Sequence, residues 1–170
     1  MEYVSLEDCR SSIFPFIYAE LTRTEPSAQY EQESDGLSEL NKVLHLVKND
    51  SFYPAFSEKA AYLLCSIAGS QYFSNGNKRL GITVLMQFRV LNNAQLLVLT
   101  AKELQKMLAK FFPKHIWESN PSIAEADPLF LYNLAIVIGS RNNWGENANF
   151  DVLKKKVTEM FAELYHLPKS

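Results

Sequence analysis

The chain has 170 residues, of which 47% are hydrophobic and 21% charged, and its net charge is -2. That is length enough for one core, and the balance excludes a general electrostatic grip on nucleic acid, which needs a strongly basic domain. Cys9 and Cys65 fit no metal-ligand spacing and read as reduced, with Cys65 a small apolar filler in a helix.

Met1 to Arg10 carries Glu2, Glu7 and Asp8 and lacks the basic start of a secretory signal. Pro15 falls inside an otherwise helical first segment and should kink or split it. Thr24 to Ser34 is polar and reads as a loop. Leu37, Leu40, Leu44 and Val47 then recur at helical spacing behind a cap at Ser34 or Asp35. Asn49 to Phe56 mixes aromatics with Pro54 and links this helix to Ala60 to Ala68, a run apolar on almost every side. Ile82 to Leu91 has the same character. Its β-branched Ile82, Val84 and Val90 also suit a buried strand, but its length, with Leu85, Met86, Gln87 and Arg89, favours helix. A helix apolar all round belongs in the middle of a bundle.

Asn92-Asn93 marks a turn, and Gln95 to Leu99 a short extended piece. Leu104, Met107, Leu108, Phe111 and Phe112 form a second amphipathic stripe, with Thr100 as cap and Pro113 as stop. Leu129 to Ile138 follows Pro128 as a third buried helix. Leu153, Val157, Met160, Phe161 and Leu164 form a last stripe opened by Asn149 or Asp151. Pro113 to Asp127 and Ser140 to Asn149 are longer connections. The longest apolar runs, Ala60 to Gly69 and Leu129 to Gly139, are too short to span a bilayer. The expectation is an all-α, compact bundle of six or more helices in one cytoplasmic domain, with two buried helices at its centre.

Those two helices are joined by Gly69-Ser70-Gln71-Tyr72-Phe73-Ser74-Asn75-Gly76-Asn77-Lys78-Arg79-Leu80-Gly81. The first N–H groups of a helix lack internal partners and carry the positive end of its dipole. An anion can accept from them, and Gly76 lets it come close to the backbone. Lys78 and Arg79 oppose the dipole when the site is empty and complement an anion when it is filled. The stretch also reads as an ordinary turn with two solvated cations. It is not a Walker loop, because no glycine precedes Lys78 and no Ser or Thr follows it.

From Asp35 to about Leu99 the chain resembles the Doc (death-on-curing) branch of the Fic family. Phe52 to Gly81 follows the family order of loop, buried helix, signature loop H-x-F-x-D-(G/A)-N-K-R and second buried helix. Phe73, Gly76, Asn77, Lys78 and Arg79 match the signature, as do Glu58-Lys59-Ala60-Ala61 and Asp35-Gly36-Leu37 beside it. The resemblance implies a family core over residues 35 to 112, with 113 to 170 as additional C-terminal helices. It implies that Gly76, Asn77, Lys78 and Arg79 hold the phosphates of ATP or another nucleotide, with Phe73 as the structural anchor of the motif. It further implies transfer of a phosphoryl or nucleotidyl group to a protein hydroxyl, a toxin-type role in a bacterial cytoplasm, a translation factor as target and an antitoxin-like partner. Phe52, Tyr53 and Phe56 fall in the segment that forms the family's target-docking flap, and they also read as core anchors.

Two positions depart from the family. Its histidine, the general base toward the target hydroxyl, falls on Gln71, whose carboxamide cannot exchange a proton near neutral pH. Loss of such a base typically forfeits about 10²–10⁴ in rate. Its acidic magnesium ligand falls on Asn75, which keeps an oxygen donor but not the charge that magnesium favours. The expectation is an impaired or altered enzyme, or a non-catalytic binding module. Ser27 and Glu31 have the spacing of the family's internal inhibitory motif, (S/T)-x-x-x-E-(G/N), but Gln32 follows, and the match reads as chance. His45 and His166 read as ordinary surface or partly buried residues, while His115, near Trp117, lies in the one connection whose histidine could reach the loop.

Overall fold

The computed structural model of the chain describes residues 1–22 and 25–168. It is built almost wholly of helices: α1 (Leu6–Asp8), α2 (Phe14–Glu20), α3 (Ser34–Leu46), α4 (Phe56–Ala68), α5 (Asn77–Leu91), α6 (Ala101–Phe111), α7 (Ala126–Gly139) and α8 (Phe150–Leu164). The two strands described, β1 (Gln95–Leu96) and β2 (Tyr165–His166), pair antiparallel, with Gln95 opposite His166 and Leu96 opposite Tyr165. No described helix is long and apolar enough to cross a membrane.

α4 is the axis of the bundle. Every residue from Lys59 to Ala68 is buried, so the helix must be walled on all sides, and α5, α7 and α8 pack around it. α7 is the second such helix, buried from Phe130 to Ile138 except at Tyr132 and Ile136. α5 is not. Its Leu80, Val84, Leu85 and Phe88 face α4, whereas Met86 and Val90 stand in solvent. The helix is amphipathic: Ile82 and Leu91 are partly buried against the core, and two of the apolar side chains that made the helix look central lie on its outer face.

Among the described residues one charged side chain lies wholly in the core. Lys59 is fully buried; its ammonium donates to the Val47 carbonyl and pairs with the exposed carboxylate of Asp50 at 2.8 Å, above the Tyr3 ring. A buried cation needs both an acceptor and an opposite charge, and the turn after α3 supplies the two.

The caps follow the sequence closely. Thr100 and Glu103 form a reciprocal capping box on α6, which stops at Phe111 ahead of Pro113, and Asn149 accepts from Asp151 and Val152 at the start of α8. α3 differs from expectation: its cap is Glu33, not Ser34 or Asp35, and the Glu33 side chain is used elsewhere. The break at Pro15 takes the form of a π-helical turn, Cys9–Ile13, directly ahead of α2. Thr24, where the expected loop begins, lies outside the described residues; the rest of that loop contains a 3₁₀ turn, Tyr30–Gln32, with Tyr30 completely buried.

The candidate anion-binding loop

Residues 69 to 76 leave α4 and turn back into α5 over Phe73, whose ring is buried and meets Tyr30 edge-on with centroids 4.9 Å apart. The Asn77 side chain folds the loop. Its Oδ1 accepts from the Phe73 N–H at 3.1 Å and its Nδ2 donates to the Phe73 carbonyl at 2.8 Å. Asn77 is thus a structural brace within the loop. Gly76 caps α5 at φ 80°, in the left-handed region that a side chain would strain, and no side chain caps the helix. The positive end of α5 and its first N–H groups therefore lack the side-chain acceptor that helix starts usually receive.

Around this turn the signature residues diverge. Arg79 reaches back to the chain after α2: Nη1 donates to the carbonyls of Leu21 at 2.8 Å and Glu25 at 2.6 Å, and Nη2 to that of Pro26 at 2.7 Å. Lys78 goes the other way and lies across Gly139, its Cε 2.5 Å from where a Cβ would stand. The two cations expected to face one phosphate thus have different neighbours: Arg79 is held by three carbonyls of the chain after α2, and Lys78 lies beside Gly139. Asn75 is committed as well: Nδ2 donates to the Pro26 carbonyl, and Oδ1 accepts from the Gly76 N–H. Its oxygen is turned inward to the backbone, which does not suit a metal ligand, and among the described residues no cluster of acidic, histidine or cysteine side chains could hold an ion. Gln71 is exposed.

Residues 25 to 33 form a strap over the loop. Tyr30 is its plug. The Tyr30 hydroxyl donates to the Gly76 carbonyl at 3.0 Å, and its ring stacks between Phe14 and Tyr18. Burial pushes the Tyr30 hydroxyl up to about 12, against the pull of the Arg79 charge, so it remains a donor. A Cβ on Gly76 would collide with that hydroxyl and crowd Ser27. Glu33 clamps the far end, accepting from the Ser74 N–H at 2.8 Å and the Ser74 hydroxyl at 2.6 Å. Glu31, the glutamate with inhibitory-motif spacing, does not touch the loop; it accepts from the Tyr18 hydroxyl, which in turn accepts from the Tyr30 N–H. Tyr30 and Glu33 have no motif that could have announced them, since their partners lie more than forty residues on.

The remaining candidates separate cleanly. Phe56 is a core anchor, stacked on Phe88 at 5.0 Å, and Tyr53 stacks on Tyr62 at 4.3 Å; Phe52 is 65% exposed. His45 and His166 are exposed. His115 does not reach the loop: its Nε2 lies 2.8 Å from Asn133 Oδ1 on α7, and its ring faces Trp144. Asn133 also donates through Nδ2 to the Glu118 and Leu129 carbonyls, which fixes its oxygen as acceptor and places a proton on His115 Nε2. No protein-family model, curated protein or solved structure matches the chain.

Proposed function

We propose that this chain is a Fic/Doc-type domain that acts by binding rather than by transfer, taking the phosphates of a nucleotide such as ATP at the start of α5. The observation that supports this reading is a helix start without a side-chain cap behind Gly76, in a loop whose base position holds the exposed carboxamide of Gln71. Phosphate oxygens accept from the N–H groups of Asn77, Lys78 and Arg79 and gain from the dipole of a fifteen-residue helix. Asn77 keeps the loop folded for that contact. Gln71 can orient a ligand by hydrogen bonding but cannot take a proton from an attacking hydroxyl. Asn75 brings no charge to magnesium, so binding depends little on the metal. Arg79 contributes only by exchanging the carbonyls of Leu21, Glu25 and Pro26 for the ligand.

A second reading, slow or altered transfer to a protein hydroxyl in a toxin-type role, is favoured by Phe52, whose exposed ring stands in the segment that would dock a target such as a translation factor. An antitoxin-like partner belongs to that reading.

Calorimetry with ATP and ADP at millimolar concentration, with and without magnesium, tests the first. Saturable heat in both conditions is expected, and no heat from any nucleotide refutes it. Labelled ATP and candidate translation factors, incubated with the natural chain beside a Gln71→His, Asn75→Asp double variant, separate the two. Transfer by the double variant alone fits a domain that binds without reacting; transfer by the natural chain means that binding is not its whole role.

A further inference from the structure

Asn75 is the chain's only asparagine followed by glycine. It is exposed, and its side chain curls back onto its own backbone: the Gly76 N–H donates to Asn75 Oδ1 at 2.6 Å. The carbon that carries this oxygen, Cγ, therefore lies beside the Gly76 nitrogen. Glycine has no Cβ to obstruct a ring that closes at its nitrogen. That nitrogen also sits at the N-cap of α5, a fifteen-residue helix. The positive end of the dipole there favours loss of its proton and negative charge on Oδ1. One contact opposes closure. Asn75 Nδ2 donates to the Pro26 carbonyl at 2.8 Å, which keeps the edge of the amide, and not its face, toward Gly76.

We propose that Asn75 is a deamidation site controlled by the strap. When residues 25 to 33 lift, the amide turns about its Cβ–Cγ bond. The Gly76 nitrogen, its proton lost to hydroxide, bonds to Cγ. The Cγ–Nδ2 bond breaks, and Nδ2 leaves as ammonia with a hydrogen taken from water. That closes a succinimide ring. A water molecule then adds to either ring carbonyl and opens the ring to a carboxylate, as aspartate or isoaspartate. One water is consumed and one ammonia released, with no oxidation. The product undoes the strap. A carboxylate at position 75 has no N–H for the Pro26 carbonyl, and its oxygens repel that group. Arg79 Nη2, which donates to the same carbonyl at 2.7 Å, then has a charged acceptor beside it. Pro26 loses both donors, and the step is one-way. One consequence rests on the nucleotide reading proposed above: the new charge stands ahead of α5 and opposes phosphate.

The test is to hold the full chain in mildly alkaline buffer and follow its peptides by mass spectrometry, with fragmentation to assign the site. Asn75 should gain one mass unit before any other asparagine does. Tyr30→Phe, which loosens the strap but keeps its ring, should speed the gain about five-fold, the loss of one neutral hydrogen bond. The acidic form, separated by ion exchange, should exchange hydrogen faster over Ala28 to Glu33 than its parent. No gain at Asn75 while other asparagines react, an equal rate in Tyr30→Phe, or unchanged exchange in the acidic form would overturn the proposal. Asn75→Asp, which is free of isoaspartate, should bind ATP without magnesium about two- to five-fold more weakly than the natural chain. If neither binds ATP, the nucleotide reading fails while the deamidation stands on the masses and the exchange.

Discussion

The Tyr30 hydroxyl donates to the Gly76 carbonyl at 3.0 Å and so fastens a segment near the N-terminus onto the residue where α5 begins. Because that carbonyl also accepts the Leu80 N–H, the tyrosine supplies its second bond and is not the sole partner.

Tyr30→Phe should therefore be a mild change. It keeps the ring among Phe14, Tyr18 and Phe73 and removes one neutral hydrogen bond, a cost of about 1 kcal/mol by urea unfolding. Hydrogen exchange should quicken at Ala28 to Glu33 before it does elsewhere. Tyr30→Ala, which empties a fully buried site, should cost about 3–5 kcal/mol.

Arg79→Ala should destabilise the protein with no ligand present, by about 1.5–3 kcal/mol, since it strips a cation from three carbonyls. Arg79→Lys should recover little, because a single ammonium does not reproduce a planar fork that holds three acceptors. Thermal unfolding of the two variants checks both statements, and stability equal to that of the natural chain in either would refute them.

Asn133→Leu keeps the branched shape of a fully buried residue but abandons the Glu118 N–H, the Glu118 carbonyl and His115 together. A loss of about 2–4 kcal/mol is expected, chiefly from the unmet groups, with the bulkier leucine adding to it. His115→Ala should leave nucleotide binding unchanged in calorimetry, because the imidazole is held against α7.

Burial pushes the thiols of Cys9 and Cys65 from about 9 to about 12. Below pH 9 each is neutral whether the chain is folded or not, and neither affects the pH dependence. Between about 9 and 12 the unfolded chain loses these protons while the folded chain keeps them, so their contribution to stability falls as pH rises. Unfolding curves across that range should show the decline, and it should shrink in a Cys9→Ala, Cys65→Ala variant. In the native protein at pH 8 neither thiol should react with a disulfide reagent.

Helix positions, caps and the all-α class were legible because they depend on neighbours three or four residues apart: Thr100 with Glu103, Asn149 with Asp151, Leu153 with Val157. The unbroken apolar run of α4 also reported its own burial. The same logic failed on α5, where Met86 and Val90 are apolar yet exposed, because hydrophobicity shows what a residue tolerates and not what covers it. In the loop, sequence located the turn at Gly76; its left-handed backbone is a finding of the structure. It could not show which way Lys78 and Arg79 would turn, since their partners, Gly139 and the carbonyls of Leu21, Glu25 and Pro26, are brought close only by the packed bundle.

The clasp made by Arg79 grips main-chain oxygens alone. It is therefore blind to the identity of the residues that offer them, and substitutions at the exposed Glu25 that preserve the path of the backbone should pass unnoticed. An inserted or deleted residue is another matter, since it would slide every oxygen out of the fork at once. Spelling there is free; spacing is not.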